Sequence, residues 1–414
     1  MKFIQNIWAA LLILSIGLVS CQPKEQPVRE VECTFSINMP VGIEKGTYSD
    51  VVITLKSNQD GGVMELKPTQ FPFKQTLLVG TYEMQTKATL SYRSEKLGVV
   101  RVPISVKENI SVSSEKSTFA ITPTYTEKTN AGLVIEELFL SPTVNPETGK
   151  NYTYGEQYIK ITNNSDVTLY ADRLLIMQSE DRTNGKREYK EKDILSKFFL
   201  VDYIAMIPGN GTDHPIEPGA SIIIANDAID HSKVFPGAVN LSKADFEMFD
   251  KSTNPRFQDV DNKDVPNLLT LFSYSLTVTS FHQRGCKAVA LGRIPADITP
   301  EAYIKDYKYD QPYIFKFRDI VKEMPVNCYK VPYSWLIDVV NLAIYDAVEW
   351  LFVPSVYDAG YTGWYDTFNG KEGKGTAVIR KVAREDNGRK YLQDTNNSTN
   401  DFLRRVEASL KKAN

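Results

Sequence analysis

Gly132-Leu133-Val134-Ile135-Glu136-Glu137-Leu138-Phe139 and Glu156-Gln157-Tyr158-Ile159-Lys160-Ile161-Thr162-Asn163-Asn164-Ser165 decide the fold of this 414-residue chain. Each reads as a strand, and the second ends in an Asx-rich turn. Tyr158, Ile159 and Ile161 suit neighbouring layers, while Asn163 and Asn164 reverse the chain. Further on, Ile216-Glu217-Pro218-Gly219-Ala220-Ser221 makes a tight corner and delivers the apolar run Ile222-Ile223-Ile224-Ala225. Strand, turn and strand in this order predict a β-sandwich.

Working outward toward the C-terminus, Leu169 to Met177, Leu268-Leu269-Thr270-Leu271-Phe272 and Lys287-Ala288-Val289-Ala290-Leu291-Gly292 read as further strands of the same body. Two long polar stretches, 179–213 and 241–266, read as insertions between them, and loops of that length are usually functional or disordered. Residues 305–317 interleave Tyr307, Tyr309, Tyr313, Phe315 and Phe317 with Lys and Asp, which predicts a ribbon with one aromatic face. The nearly continuous apolar run 335–350 fits helix or strand. Residues 375–381 fit a closing strand, and Asn400 is placed to cap a helix over 400–412 in which Phe402, Val406 and Leu410 share one face.

Toward the N-terminus, the polar joint 124–130 precedes a stretch, 28–124, that alternates in the strand period: Cys33-Thr34-Phe35-Ser36-Ile37, 50–55 and 82–90. Turns at Pro40-Val41-Gly42, Asp60-Gly61-Gly62 and Val79-Gly80-Thr81 separate them. The expected fold is therefore mostly β: two β-sandwich modules, 28–124 and 131–405, and a short C-terminal helix.

The first 20 residues carry a different signal. Lys2 precedes an apolar run from Ile7 to Val19 that meets Leu18-Val19-Ser20-Cys21, the charged region, apolar core and small-residue cleavage site of an export signal. A bilayer-spanning helix takes about 20 apolar residues, and no later run reaches that length. The tetrapeptide resembles the lipobox of bacterial lipoproteins, which implies that Cys21 is acylated; several acyl chains together anchor far more firmly than one. Residues 21–27 are polar and contain Pro23 and Pro27, a tether holding a body off the membrane. The Lys24-Glu25 pair resembles the surface-export signals of Bacteroidota lipoproteins. Outer-membrane attachment facing the exterior is the expectation, with the periplasmic face as the alternative.

Without residues 1–20 the chain keeps 47 Lys and Arg against 51 Asp and Glu, about −4, with no basic block. That balance excludes nucleic acid as a partner. Beyond Cys21 an odd number of cysteines remains, Cys33, Cys286 and Cys328. A Cys286–Cys328 bridge or three buried thiols both satisfy an oxidising compartment.

Two resemblances sharpen the modules. Residues 49–57 and 73–84, with Gly80-Thr81-Tyr82 returning the chain, are similar to carboxypeptidase-regulatory or transthyretin-like domains, which serve as spacers or platforms. "Ile-Glu-Glu" at 135–137, 156–163 and "Pro-Gly-Ala-Ser" at 218–221 resemble the lamin-tail domain, an immunoglobulin-like sandwich. Gln393 to Phe402, with Asp358-Ala359-Gly360 and Ile379-Arg380-Lys381, looks like an uncharacterised Bacteroidota lipoprotein family built on such a domain, and the likeness covers most of 130–405. The resemblance implies a neighbouring TonB-dependent outer-membrane receptor as partner.

The chemistry-bearing residues favour binding over catalysis. Histidine is the usual proton carrier near neutral pH, and only His214, His231 and His282 exist. His214 and His231 read as surface residues, and no Gly-x-Ser-x-Gly elbow, His-Glu-x-x-His or phosphate-binding glycine loop is present. No cofactor is implied. Asp259, Asp261 and Asp264 place three carboxylates in six residues, but Lys263 interrupts them and an EF-hand's glycine and distal glutamate are missing, so a solvated acidic turn is expected. The aromatics Tyr307, Tyr309, Tyr313, Tyr361, Trp364 and Tyr365 form two sets, the second beside Gly360 and Gly363. Platforms for a nutrient or glycan and plain core packing are the two uses open to them. The function expected is a non-catalytic binding or accessory lipoprotein for nutrient uptake, with an adhesin or structural surface module as the alternative and a hydrolase third.

Overall fold

The computed structural model describes residues 29–94, 98–125, 132–152, 155–249, 251–252, 254, 259–275 and 279–411. The export signal, Cys21 and the tether lie outside the described residues. Among them the chain is mostly β: 27 strands against three α-helices of four, seven and four residues. No helix of the described residues is long and apolar enough to cross a membrane.

Two compact units emerge. The first takes residues up to Asn38 together with Asp50–Ala88 and Ser105–Thr124; the second takes Met39–Ser49, Thr89–Ile104 and everything from Tyr125 onward. In the first unit, Glu30–Ile37 lies between antiparallel Phe73–Leu78 and parallel Thr118–Ile121. Alternation puts Cys33 and Phe35 inside, where Phe35 stacks on Phe73 at 5.2 Å and meets Phe119 at 5.4 Å. Ile53, Leu55 and Met84 are the buried alternates of a second sheet that contains Gly46–Ser57 and Gly80–Ser94. Each fully buried aliphatic side chain of this kind contributes about 1.5–3 kcal/mol.

The second unit holds a seven-stranded and a six-stranded sheet. Tyr158–Asn163 pairs antiparallel with Leu133–Phe139 on one side and Ser221–Ala225 on the other, so the stretches around Ile135, Ile159 and Ile223 form the middle of the six-stranded sheet. The seven-stranded sheet centres on Phe198–Met206 and Leu174–Ser179. Phe198–Met206 is buried at eight of its nine positions, which corrects the reading of 179–213 as an insertion. A strand covered on both faces shows no alternation, only a continuous apolar run, and charged flanks hid this one. The stretch 241–266 is likewise built in: Phe246–Glu247 pairs parallel with Ser221–Ala225, and Ala244, Phe246, Met248 and Val265 are buried. The run 335–350 resolves as the strand Leu336–Val340 and a short 3-10 turn, Tyr345–Ala347.

The expected helix over 400–412 is a single turn, Ser398–Asp401, capped by the Asn397 side chain, after which Phe402–Val406 is a strand. Pairing with the open edge of Ala377–Arg380 satisfies backbone groups that an isolated helix at the chain end would leave to water, and it outweighs the 3.6-residue period. Cys286 and Cys328 are not bridged: both are buried free thiols, as is Cys33. Burial pushes the Cys286 thiol up to about 11, so it stays protonated and inert.

The three strings singled out in the second half converge. Asp358 accepts the amides of Asn341 (2.8 Å), Gly360 (3.0 Å) and Ser398 (2.8 Å) and the Ser398 hydroxyl (2.5 Å). At Gly360 an added Cβ would lie 2.2 Å from Asn397 Oδ1, so the close approach of the two loops requires glycine. Arg380 is 2% exposed. Its guanidinium lies 2.6 Å from Asp338, 3.2 Å from Asp394 and 3.7 Å from Asp401, donates through Nε to Ile135 O (2.8 Å), and sits over the Phe402 ring at 4.7 Å. Asp338 also accepts the Ile135 amide at 2.7 Å, linking the two sheets. The strings are structural cross-ties at the junction of these sheets.

Candidate functional site

A β-bulge builds the most ligand-like feature of the second unit. Gln178 pairs with Tyr203 and Ser179 with Val201, so Asp202 is an extra residue in its strand. Bulges re-aim side chains and are over-represented beside functional sites. Here the carboxylate of Asp202 meets Gln178 Nε2 at 3.0 Å and forms an ion pair with Lys287, both partners buried. Gln178 Oε1 in turn accepts the His282 amide at 2.6 Å. These groups line a cleft of about 390 Å³, within the range of small-ligand sites.

The rest of the lining comes from residues 273–275 and from 279–287. Tyr274, 64% exposed, stands among hydroxyl-bearing neighbours such as Ser273, Ser275 and Ser280. Arg182 and Arg284 are exposed cations of the lining. Arg284 is steadied by the Phe368 carbonyl and ring, at 4.9 Å from the ring centre; Arg182 has no ion pair among the described residues. Three cations therefore share this cleft with one carboxylate, on a chain whose net charge is −3.

His282 reports that imbalance. Its Nδ1 accepts the Cys286 amide at 3.3 Å, which leaves Nε2 as the proton-bearing nitrogen of the neutral ring. Burial, reinforced by Arg182, Lys287 and Arg284, pushes the imidazole down to about 3. It is an uncharged donor at every physiological pH. Gly285, at φ +62°, completes the turn that brings Cys286 back onto the ring.

The loop rests on Trp364, whose indole N–H donates to Gln283 O at 2.9 Å; a Cβ at Gly285 would lie 2.9 Å from the indole. Trp364, 1% exposed, and Tyr365, buried with its hydroxyl 3.3 Å from Ser141 Oγ, are therefore core and not stacking platforms. The flanking glycines, which suggested an exposed loop, instead permit close packing. Tyr361 is half-buried against Tyr345 at 4.8 Å. In the other set, Tyr309 is buried against Tyr189, Tyr307 lies half-buried between Tyr303 and Trp335, and Tyr313 is half-covered by Arg187. The two sets do not form one site, and the aromatic ribbon is broken by the helix Pro300–Asp306 and the short strand Lys308–Tyr309. Phe315 and Phe317 are the exposed members, on the hairpin of Tyr313–Phe317 with Ile320–Met324.

Asp261 is engaged by Lys263 and by Asn267 Nδ2 at 3.0 Å, Asp259 accepts the Val260 amide at 2.9 Å, and Asp264 is exposed. Among the described residues no group of three His, Cys, Asp or Glu side chains is arranged to hold a metal. His231 is buried, contrary to a surface position: its ring nitrogens lie 3.0 Å from the Tyr152 hydroxyl and 2.9 Å from Asp227 O, satisfying both.

Asp181, next to the cleft, is buried at 1% exposure and hydrogen-bonded to the Tyr189 hydroxyl at 2.9 Å. Burial pushes its carboxyl up to about 7, against about 3.9 in an unfolded chain. The folded state thus holds more protons between those values, and stability falls as pH rises from about 4 to 7. Asp181→Asn is expected to flatten that decline. Melting temperatures at pH 5 and pH 7.5 test it, and parallel slopes for the two proteins would refute it. Asp227, also raised to about 7 by burial and by Asp259 and Glu247, leaves a residual slope of the same sign.

No curated protein matches the chain. Residues 217–409 match the family model described as a protein of unknown function, DUF4876. A crystal structure of a DUF4876 family protein from Bacteroides thetaiotaomicron VPI-5482 is similar over 91% of this chain and 96% of its own, with a TM-score of 0.55 and 20% identity. At that identity the likeness establishes a shared fold. The chain is thus similar, by sequence over 217–409 and by fold over most of its length, to an uncharacterised Bacteroidota family.

Proposed function

We propose that the chain is a lipid-anchored, non-catalytic binding protein of the outer membrane, facing the exterior, that presents a small ligand to a TonB-dependent uptake receptor. The cleft around Asp202, His282 and Lys287 carries this reading: it is the size of a small ligand and offers paired charges, an amide, hydroxyls and an aromatic rim. Non-catalysis is supported by the way in which buried His231 and half-buried His282 are engaged. Each His231 nitrogen has a partner, and His282 Nδ1 is committed to a backbone amide. The anchor rests on Leu18-Val19-Ser20-Cys21. On this reading the second unit elaborates a lamin-tail-like sandwich, and the first is a carboxypeptidase-regulatory or transthyretin-like platform.

Cys21→Ser is expected to abolish palmitate labelling and release the protein from the membrane fraction. Retention of label would overturn the anchor, and resistance to protease on intact cells would overturn the outward orientation. Copurification of the wild type with a receptor in mild detergent tests the partner; a clean monomer counts against it.

A second reading, an adhesin, is favoured by one observation. The hairpin exposes Phe315 (41%) and Phe317 (55%) on the middle strand of its three-stranded sheet and Ile320 (58%) and Val321 (67%) on the edge strand beside it. Loss of cell or glycan adhesion with Phe317→Ser, without loss of uptake, would select it.

A further inference from the structure

We infer that the cleft takes a small polyhydroxylated organic anion, a sugar acid such as a uronate, with its carboxylate toward Arg182 and its hydroxyls toward Gln178, Ser273 and Ser280. This rests on the cleft being the ligand site. Asp202 is satisfied by Lys287 and Gln178, so that pair is internally neutral. Arg182 and Arg284 remain as uncompensated cations of the lining, and Arg182 has no ion pair among the described residues. A guanidinium in this position matches a carboxylate in two parallel hydrogen bonds. His282 Nε2–H adds an uncharged donor with no partner among the described residues.

A cation is poorly suited here, because the single carboxylate is occupied. A neutral sugar would use the hydroxyls and amide but leave Arg182 with no counter-charge. A bare inorganic anion would use Arg182 but leave most of about 390 Å³ to water. A hydroxylated carboxylate uses both halves of the lining.

The chain has only three histidines, so His282 is assignable by comparison with His282→Asn. The test is calorimetric titration of the full-length protein with glucuronate and galacturonate against glucose and galactose at low salt, with the His282 ring resonances followed by NMR. Uronates are expected to bind at least about tenfold tighter than the neutral sugars, a difference of about 1.4 kcal/mol. They should also shift the His282 resonances and weaken as salt screens the contact. Binding of the anion should raise the His282 pKa, since it offsets Arg182, Arg284 and Lys287, the cations that act on the ring; Asp202 lines the same cleft, and the Cys286 amide meets Nδ1. Arg182→Gln, on the exposed rim and checked for unchanged melting, should cost uronate affinity about tenfold.

Neutral sugars that shift His282 as strongly as uronates would overturn the anionic inference and leave the cleft as the site. Inorganic phosphate that displaces uronate at equal concentration would overturn recognition of the hydroxyls. If no sugar or sugar acid moves His282, the cleft reading itself falls.

Discussion

Arg380→Ala is expected to destabilise the second unit by about 3–5 kcal/mol, read as a lower urea midpoint with little change in slope. The side chain is 2% exposed and lies among Asp338, Asp394 and Asp401, themselves 5%, 19% and 2% exposed. Removing the cation leaves these carboxylates buried without a counter-charge, and the Ile135 and Gln393 carbonyls lose their donor. The cost is that of stranding the partners, more than the worth of the pair itself. Two companion variants separate these terms. Arg380→Lys keeps the charge but not the planar fork that reaches Asp338, Asp394 and Ile135 O together, so it should recover only part of the loss. Arg380→Met with Asp338→Leu removes both charges of the closest pair and should be milder than Arg380→Ala alone. A loss below about 1 kcal/mol for Arg380→Ala would show that the cluster does not tie the sheets together.

Trp364→Ala is the second large effect, about 3–5 kcal/mol, as for other buried large-to-small changes. Trp364 is among the largest fully buried side chains, so truncation opens a cavity and frees Gln283 O. Because the indole lies directly beneath the Gln283 to Gly285 turn, the same variant should also loosen the positioning of His282 and weaken ligand binding in the cleft. Tyr361→Ala, at a half-buried position, should cost less than half as much. Urea unfolding of both variants distinguishes core from platform. A Trp364→Ala protein as stable as the wild type, but unable to bind, would return Trp364 to the role of a stacking surface.

The contrast between Trp364 and the strands shows how far local information reaches. Tyr158–Asn163 and Ser221–Ala225 were legible because strand period, Asx turn and Pro-Gly corner are properties of consecutive residues. Phe198–Met206 is hidden in the sequence because burial on both faces erases alternation. Phe402–Val406 reads as helix because its helical spacing is real, and the vacant edge of Ala377–Arg380 exists only once the sheet has formed. Trp364 beside two glycines looks identical in sequence whether the glycines give exposure or close packing.

By itself, then, the sequence determined the mostly β class, the central strands of the six-stranded sheet, the export-signal pattern ending at Cys21 and the three distinctive strings near 358, 379 and 393–402. Tertiary structure alone decided what those strings are for. Asp358 draws its donors from residues 341, 360 and 398, and Arg380 its acceptors from 135, 338, 393, 394 and 401. It also decided the cleft, where Gln178 and Asp202 come from two paired strands, His282 and Lys287 from the loop before a third, and a bulge re-aims Asp202 toward them. The reason is physical. Strand period and turn chemistry act between neighbours in the chain, whereas the partners of a buried charge such as Arg380 are fixed by distances of a few ångströms to residues up to 245 positions away.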